Sequence, residues 1–219
     1  MKKKICFLGV VLLCMLSFLT GCRDEKKETE NTNPNEIKAM KPVIYLYPES
    51  IMEVDVYLDY DGKLDFTYPS YDNGWKVTAY PDGTLINHKD KQEYSYLFWE
   101  GIPNAPYDMS KGFVVRGEDS EEFLKEKLAY LGLLPKEYNE FLVYWLPQMV
   151  NNPYNLISFQ EDIYWESAVL TIEPKPDSIQ RVFMAFTPLE DLIEIEEQIL
   201  TPFERKGFSV IEWGGAIVK

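Results

Sequence analysis

The chain has 219 residues, with 36 Asp or Glu against 22 Lys or Arg and a formal net charge of −14. A surface this acidic repels phosphate backbones, which argues against nucleic acid as a partner. Aromatic residues make up 15% of the chain, with Tyr the most numerous, a composition that suits a β-rich domain and would also suit a sugar-binding face.

Lys2, Lys3 and Lys4 precede the apolar run Ile5 to Leu19, small residues Thr20 and Gly21 close it, and polar residues begin at Arg23. That is the layout of a secretory signal, and a membrane-spanning helix needs ~20 apolar residues. Leu19-Thr20-Gly21-Cys22 resembles the lipobox of bacterial lipoprotein precursors. The resemblance implies removal of residues 1–21, a diacylglyceryl thioether on Cys22 and usually a further acyl chain, such as palmitate, on the new amino group. Each buried CH₂ contributes ~0.8 kcal/mol, so two or more chains anchor stably where one holds only marginally. The expected location is the extracytoplasmic face of the cell membrane.

Cys6 and Cys14 would leave with the signal, so the mature chain keeps Cys22 alone. A disulfide, a Cys nucleophile and a Cys-based metal site are excluded together. Loss of Lys2, Lys3 and Lys4 leaves 19 basic residues against 36 acidic ones, a mature net charge of −17. Residues 22–40 are mostly Lys, Glu, Asn, Thr and Asp, too polar to bury a core, and read as a disordered tether roughly 20 Å in mean reach. A single domain is expected over residues 41–219.

Within that domain Val43 to Tyr47 reads as a short strand between Pro42 and Pro48. Met52, Val54, Val56, Leu58 and Tyr60 alternate with polar residues, Asp61-Gly62 offers a type I′ turn, and Leu64, Phe66 and Tyr68 keep the period, predicting an antiparallel hairpin. A second hairpin is expected from Trp75, Val77 and Ala79 through Pro81-Asp82-Gly83 to Leu85-Ile86. Tyr94 to Trp99 and Gly112 to Arg116 are further strands. Asp119 with Glu122 suggests a capping box, and Leu124, Leu128 and Leu131 recur at helical spacing until Gly132 and Pro135 stop the helix.

Phe141 to Leu146 and Tyr154 to Phe159 read as buried strands, as do segments around Ala168 to Ile172, Val182 to Phe186 and Phe208 to Trp213. Thr187-Pro188-Leu189-Glu190 and Thr201-Pro202-Phe203-Glu204 both look like helix starts, although Leu192 to Ile195 could alternate as a strand instead. The expected class is α+β: antiparallel, sandwich-like sheets with one clear helix and two short C-terminal helices.

Phosphate loops, dinucleotide fingerprints, the serine elbow and the His-Glu-x-x-His helix are all absent. His88, the single histidine, lies in a polar loop where an imidazole is usually solvated. Asp59-Tyr60-Asp61-Gly62 fails as a calcium loop, because Tyr57 and Tyr68 fall at its first and twelfth positions. No metal or other cofactor is expected. What remains is carboxylates beside aromatics: Trp99-Glu100-Gly101, Glu212-Trp213-Gly214-Gly215, and Arg116-Gly117-Glu118 at a strand-to-helix corner. Glu100 and Glu212 are the catalytic candidates, since two carboxyls flanking a cleft are the minimum apparatus of a glycosidase. Trp99, Arg116, Glu118 and Trp213 are the binding candidates. The bland alternative makes the tryptophans core and the acids rim, with Arg116 paired to Glu118 or Glu100.

Lys41-Pro42-Val43-Ile44-Tyr45-Leu46-Tyr47-Pro48, Tyr94-Ser95-Tyr96-Leu97-Phe98-Trp99-Glu100-Gly101, Tyr144-Trp145-Leu146-Pro147 and Gly207 to Gly215 together resemble a family of uncharacterised secreted or lipid-anchored proteins. The resemblance spans nearly all of residues 41–219 and implies one domain, with no catalytic residue or cofactor carried over. Two functions are therefore open, and a third, a transport-associated solute receptor, is weakened by the lack of any sign of the paired lobes such receptors use. One is a lipid-anchored binding or interaction module at the cell envelope, tethered to the membrane and taking a cell-wall polymer, a glycan or a protein. The other is a carboxylate-dependent, glycosidase-like hydrolase using Glu100 and Glu212, with Arg116 positioning an anionic group. Mass spectrometry of the mature N-terminus is expected to find an acylated Cys22 as first residue; an unmodified Cys22 or a chain that starts at Met1 would refute the anchor.

Overall fold

The last strand of the described chain lies beside the first. In this computed structural model, which describes residues 37–219, β1 (Met40–Tyr47) pairs antiparallel with β12 (Ser209–Ile217) at the centre of a seven-stranded sheet. The expected signal, Cys22 and tether residues up to position 36 lie outside the described residues. Between the two central strands come β2 (Met52–Tyr60), β3 (Gly62–Tyr68), β4 (Trp75–Ala79), β5 (Leu85–Asn87), β6 (Glu93–Tyr94), β7 (Leu97–Pro103) and β8 (Phe113–Arg116). Helices α1 (Ser120–Tyr130) and α2 (Pro135–Trp145) follow, then β9 (Tyr154–Gln160), α3 (Asp162–Ser167), β10 (Ala168–Glu173) and β11 (Ser178–Leu189).

The seven-stranded sheet has the order β3-β7-β1-β12-β11-β9-β8, and a five-stranded sheet the order β10-β2-β4-β5-β6. Side chains alternate faces along a strand, so each central strand feeds two cores. Ile44, Leu46, Leu97, Trp99, Phe183, Ala185 and Val210 point inward and meet Val54, Val56, Leu58, Trp75 and Val77 of the five-stranded sheet. Val43, Tyr45, Met184, Phe186, Ile211 and Trp213 point outward and meet Leu124, Leu128, Phe141 and Trp145 of α1 and α2. The layers are thus sheet, sheet and helices, and the α+β class is the one the sequence predicts. Ala39 is already buried and bridges Gly101, so packing begins slightly before the expected boundary at Lys41.

Three expectations are corrected. β2 and β3 are consecutive but unpaired, because the chain changes sheet at Asp61. Ser167 O accepts from Asp61 N–H at 2.7 Å, and Asn104 Nδ2 donates to Asp61 Oδ1 at 2.7 Å, which fixes a corner where a hairpin was expected. Gly62 serves close approach there: a Cβ would lie 2.3 Å from the Ile102 carbonyl.

Second, Phe141 to Trp145 belong to α2. Pro135 occupies the first turn, and Glu137 Oε2 accepts from Leu134 N–H at 2.7 Å, so the capping arrangement expected at Asp119 is found one helix later. Phe141, Leu142 and Trp145 then bury one face at helical spacing, a pattern that a short apolar run does not distinguish from a strand.

Third, neither C-terminal helix forms. Thr187 to Leu189 extend β11 against β9, and residues 190–208 form an irregular strap that carries the chain to the parallel strand β12. Backbone pairing and two side chains replace helical bonds. Gln198 Oε1 accepts from Phe159 N–H at 2.7 Å while its Nε2 donates to Phe159 O at 2.6 Å, and Arg205 donates to Gly132 O and pairs with the buried Glu137.

Burial pushes the hydroxyls of Tyr45, Tyr47, Tyr60, Tyr107, Tyr144 and Tyr164 above the ordinary tyrosine range. A folded-state value above the unfolded one gives stability that is complete below pH ~10 and is lost as pH rises further. Alkaline titration followed by phenolate absorbance is therefore expected to show a group of tyrosines that ionise only as circular dichroism reports unfolding. All fifteen tyrosines ionising near pH ~10 with the fold intact would contradict it.

Candidate functional site

The four stretches Lys41 to Pro48, Tyr94 to Gly101, Tyr144 to Pro147 and Gly207 to Gly215 are far apart in sequence and meet on the outer face of the seven-stranded sheet. Their meeting point is the Lys41 ammonium. Its Nζ lies 5.4 Å from the ring centre of Tyr96, 5.9 Å from Phe98, 5.9 Å from Tyr144 and 5.7 Å from Trp213. A ring face is electronegative, and a cation within about 6 Å of it gains ~0.5–2 kcal/mol depending on desolvation. Among the described residues the ammonium has no carboxylate partner.

Backbone geometry puts it there. Lys41 has φ 59°, a left-handed conformation that costs a non-glycine residue roughly 1–2 kcal/mol. The β1–β12 register also shifts between Met40 and Val43. Glu100 Oε1 accepts from Lys41 N–H at 3.2 Å and secures the irregularity, which ties this carboxylate to the strand start that carries the ammonium. The pKa of the half-buried Tyr144 hydroxyl is raised first by burial and then by the charge of Glu100.

Beside this pair the helices no longer cover the sheet. Phe66 stands opposite Glu100 and Tyr68 opposite Phe98 in the β3–β7 ladder, so Phe66, Tyr68, Phe98 and Glu100 share the outer face. Phe66 is 56% and Tyr68 55% exposed, unusual for large aromatic side chains on a sheet. Phe66 packs edge-on against Phe98 at 5.9 Å, and Tyr68 against Tyr94 at 5.1 Å. Tyr94 leads into a cavity of about 200 Å³ lined also by Tyr45, Tyr47, Glu93, Lys136 and Glu140. Tyr45 donates to Glu140 at 3.1 Å and meets Tyr96 edge-on at 5.4 Å, which closes the path back to Lys41. The result is a continuous aromatic strip with a donor, Lys41, and an acceptor, Glu100, at its inner end. Such a surface stacks apolar ring faces and engages hydroxyls next to them.

Glu212 does not join it. On the inner face its carboxylate is 1% exposed, with Oε2 2.5 Å from Arg181 Nε and Oε1 accepting from Trp99 Nε1 at 3.1 Å. Trp99 and Glu100, neighbours in β7, necessarily point to opposite faces, so the sheet separates the two catalytic candidates and no common cleft holds them. Arg181 continues the network: Nη1 donates to Ala168 O at 2.6 Å and the guanidinium lies 4.8 Å over Tyr164. Burial, the largest influence, would by itself lower the Arg181 pKa, but the charges and hydrogen bonding of Glu212 and Tyr164 together outweigh it and hold the guanidinium above its ordinary value. Tyr60 OH, Tyr164 OH and Arg181 Nη2 are buried with no partner among the described residues.

Trp213 is buried under Lys41 on the outer face, and Gly215 next to it admits Trp145, whose ring would lie 2.7 Å from a Cβ. Arg116 pairs with Glu118 at 3.3 Å, both exposed. β8 is the opposite edge from β3, five strand spacings or ~24 Å from β7, so Arg116 and Glu118 belong to neither cluster. The residues that sequence reasoning missed are Lys41, Phe66, Tyr68 and Arg181. Arg181 carried one usable signal, as a lone cation inside the apolar pattern of β11.

Removing one partner of a buried ion pair leaves the other charge uncompensated. Glu212→Ala is expected to cost ~3–5 kcal/mol in urea unfolding, whereas Arg181→Met with Glu212→Leu should recover much of that loss. Equal losses in the single and double variants would refute the reading.

No protein-family profile matches the chain, and no solved structure matches it. The uncharacterized protein in the bglA 3′ region of Butyrivibrio fibrisolvens is 38% identical over 104 residues, a match covering 46% of this chain and 99% of that protein. At that identity, over nearly the whole of the relative, the chain belongs to the same family as the Butyrivibrio protein.

Proposed function

We propose that this protein is a lipid-anchored binding module on the extracytoplasmic face of a bacterial membrane, and that it takes a glycan along its aromatic strip. The observation that carries the reading is the exposed pair Phe66 and Tyr68, continuous with Phe98 and ending on Lys41 and Glu100. Sugar rings have one face of C–H groups and a rim of hydroxyls. Aromatic rings stack on the face, while an ammonium donates to and a carboxylate accepts from adjacent hydroxyls. The acidic surface disfavours strongly anionic polymers at long range, which leaves neutral glycans as the favoured class.

The anchor and location rest on the sequence before residue 37. The lipobox and polar tether support a domain held near the bilayer, within reach of envelope or extracellular polymers. A module of this kind needs no second carboxylate, consistent with the separation of Glu100 from Glu212 by the sheet.

Retardation of the full chain in gels containing soluble neutral polysaccharides tests the proposal. At least one polysaccharide is expected to bind, with Phe66→Ala and Tyr68→Ala each weakening it ~10-fold, or ~1.4 kcal/mol. Undiminished binding by both variants, or no retardation by any neutral glycan, would overturn it.

A further inference from the structure

The four sheet edges are not alike. β3 carries a register shift between Leu64 and Phe66, with Lys63 and the ion-paired Asp65 beside it. β6 is two residues long. β8 has four residues, and the chain before it is engaged by the strap, with Gly112 N–H donating to Glu196 O at 3.0 Å. Such devices prevent strands from pairing with other chains. β10 is the least protected: six residues, Ala168 to Glu173, stand in unbroken antiparallel register with β2, and the charge of Glu173 and the following Pro174 guard only its end.

The backbone groups on its open side can be assigned. Asp61 N–H donates to Ser167 O, and in an antiparallel ladder alternate residues bond the same neighbour, so Val169, Thr171 and Glu173 bond β2. Ala168, Leu170 and Ile172 therefore face outward. Ala168 is satisfied, its N–H by Tyr164 O and its carbonyl by Arg181 Nη1. The N–H and C=O of Leu170 and Ile172 remain, four groups that no described strand pairs on that side. They border a groove of about 540 Å³ lined by the apolar Leu170, Ile172, Pro176 and Ile179 together with Thr171, Glu173 and Lys175. Val169, Ile179 and Trp165 are exposed beside it at 45%, 36% and 42%.

We propose that β10 is a dimerisation edge whose occupant is β10 of a second copy of this chain. A twofold axis through Thr171 sets Leu170 of each copy opposite Ile172 of the other. That one register forms four backbone hydrogen bonds, satisfies all four free groups and leaves Ala168 undisturbed. Shifting it by two residues one way would pair Ala168, whose groups are already taken, and the other way would set Leu170 opposite Pro174, which has no N–H to donate. The two five-stranded sheets become one ten-stranded sheet, and Pro176 and Ile179 of each copy extend the apolar layer beneath it. Thr171 meets its own counterpart in a non-hydrogen-bonded pair, with Cα atoms ~4.5 Å apart, inside the ~4.4–6.8 Å range that a disulfide spans. The equal net charges oppose association at long range, so it strengthens as salt is added.

Site-directed crosslinking and sedimentation of the full chain in detergent test this. Under mild oxidation Thr171→Cys is expected to give a disulfide-linked dimer well above the wild-type background, while Lys63→Cys on the β3 edge is not. Thr171→Lys, at an exposed position where the monomer tolerates charge, should keep its melting temperature and weaken self-association at least ~100-fold. A wild-type chain that sediments as a monomer at tens of micromolar, a dimer unaffected by Thr171→Lys, or equal crosslinking at positions 63 and 171 would each overturn the proposal.

Discussion

The buried pair of Arg181 and Glu212 holds the two sheets in one relation. Arg181 on β11 and Glu212 on β12 are cross-strand neighbours in the parallel ladder, yet their contacts extend to β7 through Trp99 and to the five-stranded sheet through the Ala168 carbonyl. Apolar faces alone allow two sheets to slide, because hydrophobic contact is non-directional. A guanidinium with a fixed fork of donors does not. Directional bonds therefore set the register of a core otherwise made of Ile44, Leu46, Val54 and Trp99.

With the inner face committed to that network, the outer face is where variation in coverage appears. The core beneath helices α1 and α2 spans β1, β12, β11 and β9, reaches Phe98 of β7 only at its margin and leaves Phe66 and Tyr68 of β3 open. Lys41 stands at the boundary. Its backbone strain, its four surrounding rings and its bond to Glu100 all follow from the irregular start of β1, so the strip and the central strand are built together.

Much of this architecture is legible in the sequence alone. Alternation gave β2, β4 and β10 correctly, and Pro81-Asp82-Gly83 turns the β4–β5 hairpin as expected. Pairing was less legible, because Asp61-Gly62 has the chemistry of a hairpin turn while the Ser167 and Asn104 contacts that convert it into a corner come from distant sequence. Thr-Pro-x-Glu misled twice near the C-terminus for the same reason: β9 and the Gln198 amide offered tertiary hydrogen bonds that outweighed local capping. At the site, Glu212-Trp213 beside glycine looked like chemistry, but alternation alone sends Glu212 inward and Trp213 outward. Phe66 and Tyr68 read as ordinary strand residues, since exposure on an edge has no local signature.

The adjacency of β1 and β12 governs when this protein can fold. The central pair of the larger sheet joins residues from opposite ends of the described chain, and β11 must bridge from β9 to β12 across the strap. Contacts of such sequence separation form late and slowly, because the loop between them must close before any bond rewards it. Neither core is complete until Ser209 to Ile217 are present, so a growing chain lacks the strand that would close it. Deletion of Ser209 to Ile217 would therefore remove the middle of the sheet and not one of its edges.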